Sequence, residues 1–100
     1  MIEPSKQEIE DLSPLRLTCT ILPHYRDRYK AKDLYFEKNS HVYNASHPYF
    51  NITSDYRVTL TVPQAHYEDF RGHIRCRIPG LENCFLSLQN MTANVDFRRK

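Results

Sequence analysis

The stretch Leu15-Arg16-Leu17-Thr18-Cys19-Thr20-Ile21 alternates apolar and polar side chains at every position. Successive side chains of a β-strand point to opposite faces, so this alternation predicts a strand with one buried face. Arginine and threonine occupy the face that meets solvent. The buried face holds one cysteine among branched apolar residues: Leu15, Leu17, Cys19 and Ile21.

Two later stretches show the same alternation, and Tyr56–Val62 is the first of them, with Tyr56, Val58, Leu60 and Val62 predicted to point inward. The second is His73–Ile78, whose inward set is Ile74, Cys76 and Ile78. Weaker strands are predicted at 5–10, 33–37, 49–52 and 84–88. Loops are predicted at 23–32 and 38–48, and one helical turn within 64–70. Since no stretch has a convincing helical period, the sequence predicts an all-β sandwich or barrel.

The chain has three cysteines, and two of them fall in the buried sets of different strands. Cys19 and Cys76 would face each other across two sheets about 10 Å apart, which favours a bridge between them. Closing so long a loop contributes ~4 kcal/mol on the chain-entropy account. A hairpin bond between Cys76 and Cys84 is the alternative. With the first pairing, Cys84 is a free thiol, a link to a partner, or bonded to a cysteine outside these 100 residues.

Length and composition indicate one globular domain, because the chain has 100 residues and is 40% hydrophobic. We assign residues 1–100 to it, with the core within about 12–96 and a basic end at 98–100. The apolar runs are too short to span a membrane, so this domain itself is not expected to do so. The net charge of +2 is evenly mixed, which argues against nucleic acid as a partner.

Three Asn-x-Ser/Thr sequons begin at Asn44, Asn51 and Asn90, and they are predicted glycosylation sites. Fewer than one is expected by chance from six asparagines and twelve serines or threonines. The excess favours an extracellular protein. The alternative is a cytosolic sandwich with free thiols, in which the sequons are chance.

Three segments carry a family resemblance. Leu17-Thr18-Cys19, Val58–Val62 and Glu68–Cys76 resemble strands B, E and F of an immunoglobulin domain, over about residues 12–96. The resemblance implies a two-sheet antiparallel immunoglobulin-like sandwich. The chain has no Trp to fill the family's core position on strand C, so Leu34 or Phe36 is expected there. Ile74 stands where the family's corner tyrosine is usual.

The segment Leu34–Asn39 is similar to the strand-C region of the N-terminal domain of tall class I cytokine receptors. Domains of growth-factor receptor tyrosine kinases are a second similar group. Both imply the extracellular part of a cell-surface receptor that binds a cytokine or growth factor, with a co-receptor as a second partner. The alternative is a cell-adhesion module that binds itself or another surface protein.

Two sets of side chains are candidates for partner binding. Tyr25, Arg26 and Tyr29 lie in a predicted loop, and tyrosine and arginine are enriched at binding hot spots. Arg75 and Arg77 lie on the polar face of their strand, which suits an acidic ligand or a sulfated glycan. The alternatives are tyrosines packed on the end of the sandwich and an ordinary solvated face.

Catalysis and metal binding find no support in the residue spacings. His73, Cys76 and Cys84 would offer three zinc ligands, but strand parity places His73 and Cys76 on opposite faces. A cysteine nucleophile would need an accessible thiolate with an oriented base, and Cys76 is predicted to be buried. We therefore expect a binding module, with no enzyme activity, no cofactor and no metal.

Overall fold

The computed structural model describes residues 2–79 and 92–98 of the chain. They form an all-β sandwich of two sheets, one of four strands and one of five. The predicted all-β, two-sheet sandwich is therefore confirmed. Within the described ranges, no helix is long and apolar enough to cross a membrane.

The first sheet contains two of the strongly alternating stretches as its central strands. In spatial order it consists of β1 (Ile2–Glu3), β3 (Leu15–Thr20), β7 (Arg57–Val62) and β6 (Phe50–Ser54). β3 and β7 pair antiparallel along their full length, from Leu15 opposite Val62 to Thr20 opposite Arg57. Their matched alternation puts all apolar side chains of the pair on one face, which becomes the core.

The second sheet contains the third alternating stretch at its centre. Its order is β2 (Lys6–Ile9), β9 (Thr92–Phe97), β8 (Gly72–Arg77), β4 (Tyr35–Lys38) and β5 (His41–Tyr43). β4 and β5 form a hairpin through Asn39 and Ser40, whose φ angles are +49° and +73°. Tight hairpins favour such left-handed turn residues, because their twist matches that of the strands. The short helices are Pro23–Tyr25, Ala31–Asp33 and α1 (Tyr67–Phe70).

One strand pair departs from the predicted antiparallel arrangement. β2 runs parallel to β9, with Lys6 beside Asn94 and Ile9 beside Phe97. The other strand pairs of the described chain are antiparallel. The chain crosses from the first sheet to the second between β1 and β2, where the Glu3–Pro4 peptide bond is cis.

A disulfide joins the two sheets at the centre of the core. It links Cys19 of β3 to Cys76 of β8, 57 residues apart in sequence, with Cα atoms 6.4 Å apart. Both cysteines are at most 2% exposed. The sandwich therefore has a covalent link between an interior strand of each sheet. Cys84, the other half of the alternative hairpin bond, lies outside the described residues.

Phe36 lies next to the disulfide, where a tryptophan is usual in the immunoglobulin domains that the sequence resembles. It is fully buried and lies directly opposite Cys76 in the β4–β8 register. Its ring meets Phe50 of the other sheet edge-on, with centroids 6.2 Å apart. Leu34 is also buried, at 1% exposed. Both side chains proposed from the sequence thus contribute to the core, and Phe36 is the one beside the bridge.

Several predicted boundaries need correction. Residues 41–43 form β5, although the sequence predicted a loop there. The prediction missed this strand because three residues are too few to show an alternation. The predicted strand at 5–10 is present as β2, and the helical turn within 64–70 as α1.

β9 was not predicted, because its two buried side chains, Ala93 and Val95, give only a weak pattern. Tyr56, predicted to point inward, precedes β7 and is only half-buried. The predicted strand at 84–88 lies outside the described residues.

Candidate functional site

The solvent side of the five-stranded sheet carries a mixed group of charged, aromatic and aliphatic side chains. We call it the outer face and define it by Tyr35, Glu37, Val42, His73, Arg75 and Arg77. Strand register brings these residues together: Val42, Glu37 and Arg75 lie side by side on β5, β4 and β8. Because side chains on one face of a sheet are neighbours when their residues pair, this row is a continuous surface.

One ion pair lies on the outer face. The Nε of Arg77 is 3.0 Å from a carboxylate oxygen of Glu37, and both side chains are partly shielded, at 15% and 32% exposed. Arg75 lies directly opposite Glu37 and is exposed. The two arginines predicted as binding candidates therefore differ: Arg77 is held within the sheet surface, whereas Arg75 extends into solvent.

Val42 provides an apolar element at the border of this face. It is 48% exposed, on the edge strand β5. Sequence reasoning missed it because its strand was assigned to a loop. Exposed single valines are common, but this one adjoins an arginine-rich row, and apolar centres with charged surroundings are typical of interfaces.

The tyrosine-rich loop, the other candidate, packs onto the end of the sandwich. Tyr25 and Tyr29 are both half-buried and contact the hydrophobic core. Tyr25 belongs to the 3-10 helix Pro23–Tyr25, and the backbone N–H of Tyr29 donates to its carbonyl oxygen at 3.0 Å. The aromatic rings thus stabilise the loop from inside. This agrees with the interpretation that both tyrosines pack on the end of the sandwich.

The charged members of that loop are also engaged within the chain. The Arg26 Nε donates to the carbonyl oxygen of Ile21 at 3.0 Å, and its guanidinium lies 5.1 Å from the centre of the Tyr56 ring. The Lys30 ammonium donates to the Tyr56 hydroxyl at 3.0 Å, and this hydrogen bond raises the pKa of Lys30. Tyr56 therefore holds two cations of the loop, which explains why it is not in the core.

Two of the three sequons lie in described parts of the chain, and both asparagines are exposed. Asn51 is on the edge strand β6, in line with Thr59 of β7 on the solvent side of the four-stranded sheet. Asn44 begins the loop after β5, where its side-chain oxygen accepts hydrogen bonds from Ser46. Asn90 lies outside the described residues. A glycan on Asn51 would cover the four-stranded sheet and leave the outer face of the other sheet open.

Histidines gather at the end of the sandwich near α1. His41, His47 and His66 line a groove there together with Asp69. The ring of His47 packs between neighbours, 4.7 Å from the Tyr43 ring centre, and its Nδ1 accepts the backbone N–H of Tyr49. Within residues 2–79 and 92–98, no three histidine, cysteine or acidic side chains are arranged to hold a metal ion.

The zinc set considered from the sequence is not assembled either. Cys76 is committed to the disulfide, His73 is exposed on the opposite side of the strand, and Cys84 lies outside the described residues. Strand parity predicted that His73 and Cys76 lie on opposite faces of β8, and the exposed His73 and buried Cys76 agree with it.

The outer face is therefore the best candidate for a binding site. It combines an exposed arginine, an exposed valine and a partly shielded ion pair on a rigid sheet. No model of a known protein family matches the chain, and no curated protein matches it with significant similarity.

Proposed function

We propose that this chain is an extracellular binding module of a cell-surface receptor and that its outer face contacts a protein ligand of the cytokine or growth-factor class. The observation that carries the proposal is the exposed pair Val42 and Arg75, which lie side by side with Glu37 on the outer face. Arginine is enriched at interface hot spots, and a rigid sheet lowers the entropic cost of binding.

The disulfide supports the extracellular location. Bridges between structural cysteines persist in oxidising compartments and are rare in the cytosol. Asn44 and Asn51 are exposed, as glycosylation of their sequons would require. Receptor membership itself rests on the resemblance of Leu34–Asn39 to cytokine-receptor domains, because a sandwich fold alone does not define a function.

The test uses protein produced through a secretory pathway, screened against cytokines and growth factors by surface plasmon resonance. We expect saturable binding of one ligand, glycan mass on Asn51, and a Cys19–Cys76 bridge in peptide mapping. Concentration-dependent self-association without ligand binding would favour the adhesion alternative. Unmodified sequons together with free thiols at Cys19 and Cys76 would contradict the extracellular assignment.

A further inference from the structure

The solvent side of the four-stranded sheet carries a row of polar side chains that starts at a sequon. Asn51 of β6 lies opposite Thr59 of β7. Thr59 lies opposite Thr18 of β3, and Thr18 lies opposite Glu3 of β1. Each of the four directly follows a buried residue along its strand, so their side chains share the solvent side. The row therefore crosses the whole sheet, over three strand spacings or about 14 Å.

A shallow groove of about 650 Å³ lies over this row, and Glu3 and Pro4 border it on the side of β1. Its hydroxyls, guanidinium and carboxylate offer hydrogen bonds of both senses, while threonine methyl groups and a proline ring offer apolar contact. This mixture suits a carbohydrate, whose hydroxyls donate and accept hydrogen bonds and whose ring C–H groups contact apolar atoms. The rest of the lining consists of one arginine and four threonines: Arg57, Thr18, Thr20, Thr53 and Thr59.

Hydrogen bonds within the groove hold these side chains in place without using all their hydrogen-bonding capacity. The hydroxyls of Thr18 and Thr59 bond to each other at 3.2 Å. The Arg57 Nε donates to the Thr20 hydroxyl at 3.4 Å, and the Thr53 hydroxyl donates to the Arg57 carbonyl oxygen at 3.2 Å. A hydroxyl has one donor and two acceptor sites, and a guanidinium has N–H groups besides Nε. Lone pairs and N–H groups are therefore left for a ligand, on side chains that are already ordered.

The sequon puts the attachment atom at the border of the groove. Asn51 is exposed, and its neighbour Thr59 lines the groove one strand spacing away, at about 5 Å. The Nδ2 of Asn51, which would carry the sugar, donates to the carbonyl oxygen of Tyr49 at 3.3 Å. A glycosylated amide nitrogen keeps one N–H, so this hydrogen bond is compatible with the modification and orients the amide. The first sugar would start directly beside the hydroxyl-rich lining.

We propose that the N-linked glycan of Asn51 occupies this groove and that its first N-acetylglucosamines hydrogen-bond to Thr59, Thr18 and Arg57. Covalent attachment holds the sugars at an effective concentration of about millimolar order, enough for contacts too weak to capture a free sugar. Because the groove exists only in the folded chain, the docked glycan stabilises the fold. The inference rests on the extracellular location in the proposed function, since N-glycosylation takes place in the secretory pathway. It does not depend on a protein ligand of the outer face.

The first experiment measures what the glycan contributes to stability. The disulfide-intact chain is produced by secretion, and mass spectrometry establishes the glycan occupancy of Asn51. Thermal unfolding then compares this chain with Asn51→Gln. We expect an occupied Asn51 and a midpoint about 4 °C or more lower in Asn51→Gln, because the docked sugars are lost. A secreted chain without a glycan on Asn51, or one whose midpoint equals that of Asn51→Gln, would overturn the proposal.

The second experiment separates docking in the groove from a general effect of glycosylation. Thr59→Val removes a groove hydroxyl and leaves the sequon intact. Thr61→Val is the matched control, because Thr61 lies on the same strand and face but pairs with Arg16, away from the groove. Each variant is made with Asn51 and with Asn51→Gln, so the effect of the valine itself cancels. We expect the midpoint difference due to the glycan to fall by about half or more with Thr59→Val and to stay unchanged with Thr61→Val. Equal differences in both variants would contradict docking in this groove.

NMR of a chain with an isotopically labelled glycan detects the contact directly. We expect nuclear Overhauser effects between N-acetylglucosamine protons and the methyl groups of Thr18 and Thr59. Sugar resonances that show no such contacts would overturn the proposal. An occupied but undocked glycan leaves the proposed function intact, and in the ligand screen Asn51→Gln should bind like the original chain. Unmodified sequons together with free thiols would instead contradict the extracellular location itself.

Discussion

The carboxylate of Glu37 pairs with Arg77, diagonally across β4 and β8 at 3.0 Å, although the residue directly opposite Glu37 is Arg75. The diagonal pairing neutralises one arginine of β8 and leaves its neighbour directed into solvent. Two arginines that look equivalent in the sequence therefore have different roles, one in the sheet surface and one available to a partner.

Arg75→Ala should reduce ligand binding without affecting the fold. We expect affinity for the protein ligand identified by screening to fall about tenfold or more, the usual effect of losing an interface hot spot. The free energy of unfolding should stay within about 0.5 kcal/mol of the original, since the side chain is exposed. Surface plasmon resonance and urea denaturation measure the two quantities. Arg16→Ala on the four-stranded sheet is the control, and an equal loss of binding there would contradict a site on the outer face.

Phe36→Ala should destabilise the chain strongly. Phe36 is fully buried between the disulfide and Phe50, so truncation leaves a cavity that costs about 3–5 kcal/mol. The measurement is the unfolding free energy from chemical denaturation. Ile52→Ala, at a side chain that is 51% exposed, serves as the comparison and should cost far less. Similar losses at both positions would mean that Phe36 is not the centre of the core.

Removing the disulfide should cost about 2–5 kcal/mol, because the bridge restricts a long loop of the unfolded chain. The cleanest variant replaces Cys19 and Cys76 together by alanine, which leaves no unpaired partner. Thermal unfolding with and without a reducing agent makes the comparison. We expect the reductant to lower the midpoint of the original chain and to leave the double variant unchanged. A reductant without effect on the original would favour the cytosolic alternative.

The pH dependence of stability should report Lys38. The pKa of Lys38 is lowered in the folded state from 10.5. At pH values between the folded-state pKa and 10.5, the unfolded chain therefore binds a proton that the folded chain has released. Stability therefore rises with pH through the window below 10.5, and the cost of the buried charge is fully present at neutral pH. Lys38→Met should be more stable than the original at pH 7, and this advantage should shrink toward pH 10.5.

A second group titrates in the opposite sense and must be separated from the first. Burial, followed by the charges of Asp69 and Tyr49, raises the pKa of Tyr43 above 10.0, so stability falls once the pH exceeds that value. Denaturation curves of the original and of Lys38→Met at several pH values share the Tyr43 effect, and their difference isolates Lys38. An advantage of Lys38→Met that does not change with pH would contradict the assignment.

The sequence predicted the centre of the sandwich well because period-two alternation is strong where one face is fully buried. Leu15, Leu17 and Ile21 are all 0% exposed, as the alternation of their strand requires. Two other strands were not predicted. β5 has three residues and β9 relies on two small buried side chains, so their pairing is decided by neighbouring strands.

The candidate site was only partly predictable for a related reason. Parity alone placed Arg75 and Arg77 on the solvent side, but the ion pair that separates them depends on register between β4 and β8. Lys38 carries no sequence signal of burial, since a lysine at a strand end is ordinarily exposed. In the loop, Arg26 and Lys30 both contact the ring of Tyr56, which is 26 or more residues away in sequence. A local sequence pattern cannot predict such contacts.

The parallel pairing of β2 with β9 determines how the domain would respond to tension along the chain. Pulling on the segment before Lys6 and the segment after Phe97 draws these neighbouring strands in opposite directions along their axes. Their hydrogen bonds are then loaded together in shear and do not peel apart one by one. If that pair separates, extension stops at Cys19 and Cys76. The disulfide joins residues 57 apart in sequence, so the segment between them cannot be extended by the applied force. The domain would therefore transmit force and remain folded at its centre.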